Sequence, residues 1–169
     1  MKQSPPAPRT LSAWQTRGLL NFFPPWLFQG IRLVELDPEF RRCVVRVRRS
    51  RLTRNLQGTT FGGTIFAAAD PMFAILYWQI LAHRGIRVQA WVRSATVRYL
   101  KPAATALTLE FALTDGDVAQ AVEALDREGR YARHHLVEAR DTAGVLCATA
   151  ETEVYLKLPR DDQKGVSAF

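Results

Sequence analysis

Cysteine and histidine are both scarce in this chain of 169 residues, and each scarcity closes off a class of function. The two cysteines, Cys43 and Cys147, lie far apart in apolar alternating segments, a pattern that suits buried free thiols in a reducing compartment and excludes a disulfide framework. No Cys-x-x-Cys spacing occurs, and the histidines are His83, His134 and His135. Adjacent residues on a strand point to opposite faces, so His134 and His135 cannot jointly hold an ion, and no metal site is expected. The N-terminus, MKQSPPAPRTLS, lacks the roughly 7–15-residue apolar stretch of a secretory signal, which makes the cytoplasm the expected location. No internal repeat is present, and no low-complexity tract extends beyond the first nine residues.

What is present is an ordinary globular balance, 47% hydrophobic and 23% charged, long enough for a core that needs no staple. Basic residues outnumber acidic ones 23 to 16, and nineteen of the 23 are arginine. A net charge of +7 suits an anionic partner (nucleic acid, a membrane surface, a phosphate-bearing metabolite), although a compositional bias toward arginine fits as well. The densest basic cluster, Arg41, Arg42, Arg46, Arg48, Arg49, Arg51 and Arg54, has no interleaved aromatic residues, so no nucleic-acid partner is expected.

The chain divides into an N-terminal lead and short helix over residues 1–22, one domain over 23–158 and a polar tail over 159–169. Thr10 or Ser12 caps the first helix, which carries Leu11, Trp14, Leu19 and Leu20 and stops at Phe23-Pro24-Pro25-Trp26. From Ile31 the pattern is a hairpin, with Cys43, Val45 and Val47 on one face and Arg42, Val44, Arg46 and Arg48 on a basic one. A loop follows, and then a stretch over 64–82 that is apolar on nearly every side. Asp70, Pro71 and Gln79 interrupt it and no second such run exists, so it reads as a buried central helix rather than a membrane span.

After Gly85 come strands over about 86–101, 105–113, 131–141 and 145–156. Asp115-Gly116-Asp117 caps an amphipathic helix ended by Gly129, and Thr142-Ala143-Gly144 turns the last hairpin. An antiparallel sheet curled around one long helix covers that helix on all sides, which makes the chain an α+β hot-dog fold.

The chemistry concentrates in residues 55–70, NLQGTTFGGTIFAAAD. Gly62 and Gly63 leave the first amides of the central helix uncovered at the positive end of its dipole, where they can hold a developing oxyanion. Asp70 is the only acid between Glu39 and Glu110, and it can attack a thioester or activate water. Asn55, in the loop before, can hold the water or the carbonyl. Simpler roles stand beside these: Asp70 as the N-cap of a second helical segment, the glycines as close-packing residues, and Asn55 as a turn residue. Seven residues separate Gly63 from Asp70, about 10 Å along a helix, so the two cannot meet one thioester carbon in one chain. Two central helices packed antiparallel across a two-fold axis would bring them together.

The pattern N-x-x-G-x-x-x-G-G followed by a small apolar run ending in Asp70 resembles the motif that opens the central helix in hot-dog acyl-CoA thioesterases of the phenylacetyl-CoA type. Tyr99-Leu100-Lys101-Pro102-Ala103 is similar to that family's strand after the helix, and Pro24-Pro25 with Gly30-Ile31-Arg32 resembles an uncharacterised branch of the superfamily. Together these span roughly residues 24–156. The resemblance implies hydrolysis of a fatty or aromatic acyl-CoA by a homodimer or tetramer, coenzyme A entering only as part of the substrate, with Asp70 of one subunit facing the helix start of the other. Phe61 stands where that family often has histidine, and the scarcity of histidine near the motif argues against dehydratase chemistry. Phe61, Thr59 and Thr60 are the expected acyl contacts, with Phe66, Phe73 and Trp78 making the surroundings apolar. Arg93, Arg98 and Lys101 are the expected phosphate partners.

Overall fold

The computed structural model describes residues 7–159; the start of the Pro-rich lead and the tail from residue 160 lie outside the described residues. Ser12 rather than Thr10 starts α1 (Ala13–Phe22), through a reciprocal capping box with Gln15. Trp14 and Leu19, two of the residues that made this segment look apolar, stay exposed. Pro24 and Pro25 do stop α1, yet they also open a short α2 (Pro24–Phe28), because the first turn of a helix needs no N–H from them. The Asn21 side chain pairs with the backbone of Leu33, Oδ1 accepting from its N–H at 2.8 Å and Nδ2 donating to its carbonyl at 3.1 Å.

Six strands form one antiparallel sheet in the order β1-β2-β4-β5-β6-β3: β1 (Ile31–Leu36), β2 (Arg42–Val47), β3 (Gln89–Tyr99), β4 (Leu107–Ala112), β5 (Arg130–Asp141) and β6 (Leu146–Lys157). Period-two alternation places Cys43, Val45, Val47, Leu107, Leu109 and Phe111 on the inner face, all essentially inaccessible. Both cysteines are buried and free. The outer face of β2 departs from expectation at Val44, which is buried. Its cross-strand neighbours Glu35 and Glu110 both pair with Arg42, and these long side chains cover it. The same ion pairs neutralise that end of the basic face.

The central apolar stretch, expected as one buried helix with the alternative of a second segment starting at Asp70, is two segments, α3 (Gly62–Ala69) and α4 (Met72–His83), interrupted at Asp70-Pro71 where proline supplies no N–H. The stretch Gly62–His83 is long and apolar enough to cross a membrane, but 67% of its most apolar window is buried within the fold, as a core helix requires. An amphipathic α5 (Asp115–Glu128) lies against β5, burying Val118, Ala121 and Leu125. Its cap is Thr114, with Asp117 as the reciprocal partner, one residue earlier than the expected Asp115–Asp117 start; Gly129 ends it in the left-handed conformation.

The inner face also carries a polar cluster. His135 stacks on Phe73 at 4.6 Å between ring centroids and lies 3.1 Å from the Tyr77 hydroxyl, which is 3.4 Å from that of Tyr131. Burial among these rings pushes the His135 pKa down to about 4, so the imidazole is neutral at pH 7. His134 points to the opposite face, as strand alternation dictates.

Candidate functional site

The loop from β2 to α3 is tied down at two threonines. Thr53 is buried, its hydroxyl donating to the Arg48 carbonyl at 3.1 Å, and its own carbonyl accepts from the Phe61 amide at 2.8 Å. Thr60 is buried as well; its amide donates to the Ala103 carbonyl at 2.9 Å, stitching the motif to the segment after β3. Between them the Asn55 amide is engaged within its own loop: Oδ1 accepts from the amides of Gln57 and Thr59, and Nδ2 donates to the Thr59 hydroxyl at 2.9 Å. That geometry makes Asn55 and Thr59 the clasp of a tight turn.

Phe61 precedes α3 in extended conformation and offers no side-chain cap. Among the described residues no acceptor faces the amides of Gly62 and Gly63, so two donors are open at the positive end of the helix. Both glycines also let two rings come close. A Cβ on Gly63 would run into the tip of the Phe61 ring, and one on Gly62 would meet the Tyr99 ring and hydroxyl at 2.8 Å, so either exposed ring would have to swing aside. The packing role and the open amides therefore coexist: without Cβ atoms the two rings close over the helix start while its N–H groups keep their direction.

Asp70 lies at the far end of α3, seven residues or about 10 Å from Gly63. It does not cap α4: the residue before that helix is Pro71, no side-chain cap bond forms, and the Asp70 amide is held by the Phe66 carbonyl at 3.0 Å. Its half-buried carboxylate has no hydrogen-bond or ion-pair partner among the described residues. Burial raises its pKa above the ordinary carboxylate value, with no nearby cation to offset the effect.

The remaining expected residues divide. Phe61 and Tyr99 are each 56% exposed and border the helix start at Gly63 and Gly62; Phe66, one turn further along α3, is partly exposed as well. Phe73 is in the core instead, between Phe111 and His135, on the segment that begins after the Asp70-Pro71 break. Arg98 and Lys101 flank Tyr99 and are exposed. Arg93 is not grouped with them: it pairs with Glu153 at 3.1 Å and lies 4.2 Å over the Tyr155 ring. Tyr99 itself, which donates to the Gly62 carbonyl at 3.0 Å, is a site residue that charge and acid–base criteria pass over; its only signal was its place beside Lys101-Pro102.

The fold recurs in solved structures. The chain is similar in fold to PA5026 of Pseudomonas aeruginosa, a protein of unknown function named "Probable Thioesterase", with a TM-score of 0.78 at 19% identity over 88% of this chain and 97% of that one. It is similar to thioesterase HI1161 of Haemophilus influenzae, with a TM-score of 0.65 at 11% identity over 91% and 96% of the two chains. It is also similar to the E. coli PaaI protein of the phenylacetic acid degradation operon, with a TM-score of 0.60 at 17% identity over 87% and 94%. No curated protein matches in sequence. The family model of DUF4442, described as a domain of unknown function, matches residues 12–156, taking in every element from α1 through β6 up to Leu156, and the chain is accordingly a hot-dog-fold member of the DUF4442 family.

Proposed function

We propose that the protein hydrolyses the thioester of a fatty or aromatic acyl-CoA at a site completed by a second copy of the chain. The observation that carries this reading is the unengaged, half-buried Asp70 carboxylate on the same helix as the two open amides of Gly62 and Gly63. The fold shared with thioesterase HI1161 supports it. In the proposed reaction the thioester carbonyl oxygen accepts from the helix-start amides, which stabilise it as negative charge develops. Asp70 of the other copy either takes a proton from the attacking water, or attacks the carbonyl carbon itself to give a mixed anhydride that water then hydrolyses, freeing the carboxylate of Asp70 again. The carbon–sulfur bond breaks, the acyl group leaves as a carboxylate, and coenzyme A leaves as its thiol once protonated. No cofactor is needed beyond the water consumed.

Pairing of two copies has a physical basis in β3. Ten of its eleven residues pair with β6 on one side, the register shifting at Arg93, and the other edge is a row of backbone groups to which a second β3 can add. Such pairing places Phe61, Phe66 and Tyr99 at or near the junction, where an acyl chain is shielded from water. Arg98 and Lys101 are the proposed partners of the nucleotide phosphates, while Arg93 is already matched to Glu153.

A second reading, a non-catalytic acyl-CoA binder, draws support from Asn55, which spends both acceptor positions and one of its two N–H donors on its own turn rather than on a reacting group. A free-thiol assay on an acyl-CoA panel, run beside ligand-induced melting shifts, separates the two. Thiol release that vanishes in Asp70→Asn supports the hydrolase; melting shifts without thiol release support the binder.

A further inference from the structure

The outward stripe of α1 carries two aromatic rings that the fold leaves uncovered. Trp14 is 75% exposed and Phe22 77%. They stand at i and i+8 on one side of the helix, about 12 Å apart along its axis, and Gly18 between them presents only open space. Arg17 and Arg32 join these residues in lining a hollow of about 320 Å³. Neither arginine has a carboxylate partner among the described residues; Arg32 donates to the Asn21 carbonyl at 2.9 Å. In the sheet Arg32 lies directly opposite Arg46, also without a carboxylate partner, a like-charge pair that costs stability unless something anionic lies over it. On the other side of Arg17 a hollow of about 750 Å³ holds Glu35, Asp37 and Glu39 with Arg41 and Arg42, so the unbalanced positive charge falls on the side of Gly18 and Phe22.

We propose that this face of α1 docks on an anionic phospholipid bilayer, with Trp14 and Phe22 entering the interfacial layer and Arg17, Arg32 and Arg46 meeting the headgroup phosphates. An aromatic ring with a polar edge beside guanidinium groups is the chemistry of an interfacial helix. The uncovered residues on α1 and α2 are aliphatic as well as aromatic, Leu19 and Leu27 together with Phe28, which suits hydrocarbon better than stacked bases. A second copy on this face would bring its unpaired arginines against those of the first across a two-fold axis. The inference is independent of the thioesterase reading, since it uses none of the residues of that site.

The test is co-sedimentation of the full chain with phosphatidylcholine vesicles, alone or mixed with phosphatidylglycerol. Binding is expected to the mixed vesicles, weakened by salt, with a blue shift of tryptophan emission that disappears in Trp14→Phe. Trp14→Ser/Phe22→Ser and Arg17→Gln/Arg46→Gln should each reduce the affinity about tenfold or more, with the melting temperature unchanged because all four side chains lie on the surface. Failure to bind mixed vesicles, equal binding to neutral ones, or wild-type binding by both double variants overturns the proposal. So does displacement of the vesicles by RNA, or a fall in oligomeric state of Trp14→Ser/Phe22→Ser without vesicles, which would assign the face to nucleic acid or to a second copy.

Discussion

The Tyr99 hydroxyl donates to the carbonyl oxygen of Gly62 at 3.0 Å, and its ring lies so close that a Cβ on Gly62 would stand 2.8 Å from it. One tyrosine at the end of β3 thus sets the position of the first residue of α3. Gly62→Ala would move that exposed ring aside and disturb the bond, so it should lower the urea midpoint slightly and reduce turnover together. Tyr99→Phe keeps the ring and loses only the hydroxyl, at about 1 kcal/mol or less for this exposed bond. If Gly62→Ala is no more harmful than Tyr99→Phe in urea titrations, the close approach is not what positions the helix start.

Asp70→Asn should reduce turnover on the best acyl-CoA by about 10²- to 10⁴-fold while leaving the protein folded. The pH dependence adds a sign. A carboxyl whose pKa is raised in the folded state holds its proton more tightly there than in the unfolded chain, so its contribution to stability is greatest in acid and is lost as pH rises through the raised value. Asp70→Asn should therefore equal or exceed the wild type in stability at pH 7, and the difference should close toward pH 3. A variant less stable at neutral pH would mean that the carboxylate has a structural partner.

His135 behaves in the opposite sense. With a folded-state pKa near 4 against 6.5 in the unfolded chain, its burial as a neutral ring stabilises the fold above pH 6.5, and that contribution, on the order of 3 kcal/mol, is lost as pH falls toward 4. Asp117 opposes the depression, whereas Arg133 and His134 add to it. Urea titrations at pH 7 and pH 4.5 should show a larger acid loss for the wild type than for His135→Gln. Parallel losses would remove His135 from the account of acid sensitivity.

Phe61 is 56% exposed, so Phe61→Ala should cost less than about 1 kcal/mol of stability. Its ring nonetheless borders Gly63, and truncation should redistribute rates among short, long and aromatic acyl-CoA substrates. Equal proportional changes across the panel would leave Phe61 without a part in acyl selection.

The fold was legible in the sequence because its signals are local. Period-two alternation in Leu107, Leu109 and Phe111 and the all-round apolar run before Gly85 demand a sheet and a buried helix, whatever the tertiary details. The break at Pro71 was less so, since a residue that interrupts a helix and one that merely kinks it have the same composition. Within the site, Asp70 stood out as an isolated acid, but the partners of its neighbours did not: nothing in residues 55–59 says that Asn55 closes on Thr59, or that Arg93 finds Glu153 across the sheet. Tyr99 and His135 were missed as structural determinants for the same reason. Their roles depend on contacts with Gly62 and Tyr77, which are far away in the chain.

The Asn21 clip on Leu33 gives the sheet a direction of growth. A free strand edge invites another chain, and this sheet has two ends; in the middle of one of them a side-chain amide already occupies the N–H and the carbonyl of Leu33. A strand arriving at β1 would have to displace that amide, whereas the outer edge of β3 carries no such clip. If the proposed pairing runs through β3, the composite sheet would end in β1 on both sides, each with its own asparagine in place. A single amide on an N-terminal helix would then oppose open-ended growth and favour an assembly that closes at two.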